Sequence, residues 1–126
     1  MSNDVTADLI VVLVENMKGA PDDWASLSIV VDINAGRLSG TYGYAYSPDG
    51  TASAVASRPS GVRTAVEAYL ESHGGPDRRP PLKLLVQFDR SSGRYVVTFE
   101  EHDPSRWKVS PANVQQISDE LRPDFG

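Results

Sequence analysis

The sequence predicts an α+β domain, with a mostly antiparallel five-stranded sheet, helices packed on one face, and the element order α-βββ-α-ββ-α. Apolar residues recur with period two in some stretches and with helical period in others, and turns rich in glycine, proline, asparagine and aspartate divide the two kinds. Three successive strand runs, then a helix, then two more strand runs place hairpin partners side by side, and the sheet needs helices over one of its faces.

The first helix is predicted by Leu9, Val12, Leu13 and Met17, spaced for one helical face, with Asn3, Asp4 and Thr6 available as caps and Gly19 and Pro21 as a stop. Its β-branched run Ile10, Val11, Val12, Val14 suits a strand equally well, so the helix rests on the caps, Lys18 in the last turn and the stop. From Leu27 the period becomes two: Leu27, Ile29, Val31 and Ile33 alternate with Ser28, Val30, Asp32 and Asn34, which predicts a strand with one buried face. Asn34-Ala35-Gly36 turns the chain into a second strand, read with Leu38, Tyr42, Tyr44 and Tyr46 together on one face. Ser47-Pro48-Asp49-Gly50 is a strong hairpin turn leading to a small-residue strand over Thr51 to Ser57.

Ser60 caps a helix whose inward stripe is Val62, Val66, Tyr69 and Leu70, with Arg63, Glu67 and Glu71 outward and Gly74-Gly75 at its end. A glycine- and proline-rich surface connection runs to Pro81. Leu82, Leu84, Val86 and Phe88, a turn over Arg90 to Gly93, and Tyr95, Val97 and Phe99 form the clearest hairpin, and Leu85 and Val96 suggest that both of its faces are partly covered. After an acidic loop, Ser110 and Pro111 open a last helix with Val114, Ile117 and Leu121 as its buried stripe and Pro123 at its close. No internal repeat interrupts this order, and the 126 residues suit one domain over 1–126.

Composition narrows the function classes. The chain has no cysteine, which removes disulfides, thiolate metal sites and thiol nucleophiles and suits a reducing compartment. The acidic start and the short apolar run from Leu9 to Val14 fit neither a secretory signal nor a membrane span, so a cytoplasmic location is expected. The net charge is −5, divided as −5 over residues 1–57, +3 over 58–94 and −3 over 95–126. A basic middle between acidic ends lets two copies attract weakly as a homodimer, while the overall sign opposes nucleic-acid binding.

Catalytic signatures are sparse. The two histidines, His73 and His102, lie in no metal-binding spacing, no serine sits in a nucleophile elbow, and the scattered glycines lack the context of a phosphate cradle. No cofactor or metal is expected. Glu100-Glu101-His102-Asp103 holds the residue types of a general base or an oxygen-rich cation site, against the plainer reading of a solvated loop. Tyr42, Tyr44 and Tyr46 share one strand face and read either as a binding platform or as sheet packing with hydroxyls at the rim. Trp24 and Trp107, each beside charge, read as lids on the core or as binding anchors.

The C-terminal third carries a resemblance. Tyr95-Val96-Val97-Thr98-Phe99-Glu100-Glu101, then Asp103-Pro104-Ser105-Arg106-Trp107-Lys108, and the closing Glu120-Leu121-Arg122-Pro123 resemble the YezG-like group of small bacterial toxin-immunity proteins. The likeness extends to the opening helix, Pro21-Asp22-Asp23-Trp24, the aromatic second strand and the middle helix, and is also similar to actinobacterial immunity factors that neutralise NAD-hydrolysing necrotising toxins. The resemblance implies an antitoxin that binds a bacterial toxin domain directly and has no enzyme activity. Clustering of acids around an aromatic points to Glu100, Glu101, Asp103 and Trp107 as the toxin-facing surface, with Tyr42, Tyr44 and Tyr46 as the alternative. Two other classes compete: a non-catalytic adaptor or secretion-chaperone-like module with an exposed apolar groove, and a small enzyme built on His102 and its neighbouring carboxylates.

Overall fold

A computed structural model describes residues 5–34, 36–73, 81–103, 106–108, 110, 113 and 116–123. Asn3, Asp4, Ala35, the connection 74–80, Pro104, Ser105, Pro111 and Val114 lie outside them. The elements run α1 (Val5–Glu15), β1 (Met17–Lys18), β2 (Ser26–Asn34), β3 (Arg37–Tyr46), β4 (Ala52–Ser57), α2 (Pro59–His73), β5 (Lys83–Asp89), β6 (Tyr95–Glu100) and α3 (Ile117–Glu120). The strands form one antiparallel open sheet in the order β1-β4-β3-β2-β5-β6. No helix among the described residues is long and apolar enough to cross a membrane.

The fold is α+β, but its sheet has six strands instead of five. The extra strand is β1, where Met17 pairs with Ser57 and Lys18 with Ala56, so Met17 does not continue the first helix. Asn16 ends that helix by folding its side-chain amide back onto the Val12 carbonyl, 2.9 Å away. Gly19 then takes φ +101, and a Cβ there would press into the Ala54 carbonyl. Two residues are too few to carry a period, which is why sequence pattern does not show this strand.

Leu9, Ile10 and Leu13 of α1 and Val62, Val66, Tyr69 and Leu70 of α2 bury against one face of the sheet, where Leu27, Ile29, Val31, Ile33, Leu84 and Val86 meet them. The inward stripe of α2 is the one its spacing predicts. Trp24 belongs to this core as a lid: its ring lies 6.2 Å from that of Phe88, and the Arg90 guanidinium stacks over it at 4.6 Å.

Three expectations about faces need correction. Leu38 was expected beside the tyrosines, yet a register shift between Asp32 and Ile33 pairs Asp32 with Gly40 and Ile33 with Leu38, leaving Ser39 as an extra residue in β3. That bulge reverses the alternation, so Leu38 joins the helix-side core while Tyr42, Tyr44 and Tyr46 face the other way. The strand β2 was expected to bury one face and buries both, with Ser28 and Val30 fully enclosed. The cover on the second face is the chain's own C-terminal segment, whose Ile117 and Leu121 pack on Val30 and Leu85 with Tyr42, Tyr44 and Trp107 around them. Helices therefore do not lie on one face only, because α3 sits opposite α1 and α2.

Gly43 of β3 is paired with Ile29 of β2, and a Cβ there would collide with the Ser28 carbonyl and the Ile29 Cα. Gly43→Ala should lower stability by about 1–3 kcal/mol through overpacking, measured by chemical denaturation. Gly40→Ala meets open space, and its unfolding free energy should stay within about 0.5 kcal/mol of the parent.

Candidate functional site

Glu100, Glu101 and Asp103, the acids named from sequence, leave the end of β6 in one tight turn, but their side chains have different duties. Glu100 is buried, whereas Glu101, His102 and Asp103 are exposed. The Glu100 carboxylate accepts a 2.8 Å hydrogen bond from the Arg106 guanidinium and 3.0 Å bonds from the backbone N–H groups of His102 and Asp103. The guanidinium bond and those two amides hold its pKa down to about 2. Glu100 is thus the post around which the turn is wound, and Glu101 and Asp103 are what the turn presents.

Arg106 links this turn to the aromatic that follows. Its guanidinium carbon lies 4.4 Å from the Trp107 ring while its Nη1 holds Glu100. Trp107 adopts φ +62, a left-handed backbone conformation uncommon for a bulky residue, and is half-buried against the second sheet face. The Tyr42 hydroxyl fixes it from below by donating to the Trp107 carbonyl at 2.8 Å.

That hydrogen bond joins the two surfaces that sequence treated as alternatives. The tyrosine stripe is occupied by the C-terminal segment, with Tyr46 buried and Tyr42 and Tyr44 half-buried. Tyr46 donates to the Ser118 carbonyl, and Ser28 and Gln87 both donate to the Leu121 carbonyl. Burial pushes the Tyr46 hydroxyl up to about 12, and burial with the nearby Asp32 carboxylate does the same for Tyr42, so both remain proton donors at neutral pH.

Lys83 was not singled out in the sequence. It opens β5, one residue before the Leu84-Val86-Phe88 series, and so points to the second face, which a half-exposed hairpin would leave in solvent. The covering segment makes it buried instead: its Nζ lies 3.7 Å from the Asp32 carboxylate, donates to the Tyr42 hydroxyl at 3.4 Å and sits 5.8 Å from that ring. Among the described residues, no group of three or more histidine, aspartate and glutamate side chains is placed to hold a metal ion.

Compared with family models, with curated proteins and with solved structures, the chain matches none.

Because the folded-state pKa of Glu100 lies below its ordinary 4.5, its contribution is complete above that value and is lost as pH falls through about 2. Amide resonances of His102 and Asp103 should report that transition, and Glu100→Gln should abolish it. Tyr46→Phe leaves the Ser118 carbonyl without its donor under the segment, and should cost about 1–3 kcal/mol in denaturant unfolding.

Proposed function

We propose that this chain is a non-catalytic protein-binding domain that neutralises a bacterial toxin domain as an immunity protein does, meeting it through the Glu101–Asp103 turn and the adjoining Trp107. The observation that carries the reading is the division of labour in the turn, where a buried Glu100 fixes the backbone while Glu101 and Asp103 stand exposed. A prearranged pair of acids loses little conformational freedom on docking to a basic surface, and opposite charge speeds encounter and rejects wrong partners. The resemblance in the segment from Tyr95 to Lys108 supports the same reading. Direct action in the cytoplasm of the producing cell goes with it, as does freedom from any cofactor.

Glu100 no longer belongs among the contact residues, since reversing its charge would dismantle the turn itself. The adaptor alternative needs the tyrosine face to be open, and in this conformation the C-terminal segment covers it. The enzyme alternative needs His102 in an enclosed site, and His102 is exposed.

The test is to identify the genes beside this chain's own and to measure binding to, and protection against, any toxin domain they encode. Glu101→Lys with Asp103→Lys should weaken binding at least tenfold, mostly through a slower association that loses its salt dependence, while Glu15→Lys on α1 leaves both unchanged. A chain that neither binds that domain nor protects against it, or a double variant that binds as tightly as the parent, overturns the reading.

A further inference from the structure

The two edges of the sheet end differently. At one, β1 pairs with Ser57 and Ala56 of β4, and the chain after it runs so close to the rest of that strand that a Cβ on Gly19 would press into the Ala54 carbonyl. At the other stands β6, paired with β5 over six consecutive residues without a bulge and with no described strand on its outer side. From Tyr95 to Phe99 it carries no charge and no proline, the devices that keep an outer strand from pairing with another chain. It also holds two of the three large apolar side chains exposed among the described residues, Tyr95 and Val96. The carbonyls of Arg94 and Glu100 accept from Asp89 and Leu82 on the β5 side. Alternation along the ladder then directs the main chain of Tyr95, Val97 and Phe99 outward.

We infer that β6 is the contact strand of a two-fold homodimer, in which the β6 strands of two copies pair antiparallel about Val97 and carry the sheet from one copy into the other. The strand is complementary to itself in this register. Val97 exchanges both main-chain bonds with Val97 of the second copy. Tyr95 comes opposite Phe99, Val96 opposite Thr98 and Arg94 opposite Glu100, and the symmetry makes each pair twice. Aromatic with aromatic, β-branched with β-branched and cation with acid are the cross-strand pairs that stabilise a sheet. The outward main chain admits only registers centred on a residue, and the neighbouring ones fit worse. A centre at Thr98 sets Val96 against Glu100 and Tyr95 against Glu101, and a centre at Val96 leaves Arg94 opposite Thr98 with no acid. Charge selects a second copy over a strand of another protein. Arg90 and Arg94 precede β6 while Glu100, Glu101 and Asp103 close and follow it, so an antiparallel copy brings each basic end to an acidic one. The assembly stops at two, because the two-residue β1 at the far edge offers no matching strand to a third copy. The inference goes beyond the toxin-binding reading and does not rest on it.

Sedimentation velocity on the full chain, from micromolar to millimolar concentration, measures self-association, and a dimer should form within that range. Val97→Pro removes the central outward N–H and keeps the bonds to β5, and Val96→Lys places a charge at an exposed position of the strand. Each should weaken the dimer at least about tenfold, while Val11→Lys, at an exposed position of α1, leaves it unchanged. Should the proline variant not fold, the lysine variant decides. The chain has no cysteine, so disulfide cross-linking reads the register. Val96 and Thr98 of the two copies form a non-hydrogen-bonded pair with Cα atoms about 4.5 Å apart, within disulfide reach. A mixture of Val96→Cys and Thr98→Cys chains should therefore oxidise to mixed disulfides faster than either chain alone. A chain that stays monomeric throughout, whatever strand of another protein it takes up, overturns the inference. So does a dimer that Val96→Lys leaves intact, or a Val96→Cys chain that cross-links alone as readily as the mixture.

Discussion

The structure depends on β2 being an interior strand that is apolar on both faces. Leu27, Ile29, Val31 and Ile33 need a cover on one side, and Val30, with Leu85 of the neighbouring strand, needs one on the other. Leaving either side in water would forfeit about 1.5–3 kcal/mol for each large aliphatic side chain exposed. The first side is met by α1 and α2, which bring two amphipathic stripes. On the second, among the described residues, Ile117 and Leu121 pack on Val30 and Leu85, and polar side chains of the sheet reach to the segment's backbone.

This explains what the sequence does and does not reveal. Alternation in the Leu84–Phe88 and Tyr95–Phe99 runs and the helical stripe of α2 are local patterns, and the helices and hairpins follow from them. The two-residue β1 has no pattern to read, and the bulge at Ser39 inserts one residue into a run whose alternation otherwise looks regular. A one-residue insertion exchanges the faces of everything beyond it, which is why Leu38 was grouped with the tyrosines. The fate of the tyrosine stripe is a long-range matter, settled by residues more than sixty positions away. Leu85 gives the cover away from sequence and is buried, while Val96, which points to the same cover, is exposed; Val30 beside Leu85 carries the same signal, since aliphatics on the nominally polar face of adjacent strands need a cover. Glu100 and Glu101 are adjacent in the same acidic run, and only the hydrogen bonds that close the turn assign one to the interior and the other to solvent.

Charge on the second face is arranged by the same cover. Lys83 is enclosed beside Asp32 and Tyr42, and its cation has the Asp32 carboxylate and the Tyr42 hydroxyl and ring to interact with. Lys83 is enclosed while the Asp32 side chain is 40% exposed, so the pair adds little net stability, but removing Asp32 would strand the enclosed cation. Asp32 and Lys83 are paired across β2 and β5, so the pair favours the register that places Val30 against Leu85.

The turn and the segment are mechanically continuous. Trp107 is the last residue of the one and the first held residue of the other: Arg106 stacks on its ring from the Glu100 side, and Tyr42 grips its carbonyl from the sheet. Its left-handed backbone costs about 1–3 kcal/mol for a bulky side chain, and the Arg106 stacking and the Tyr42 hydrogen bond are contacts that hold it there.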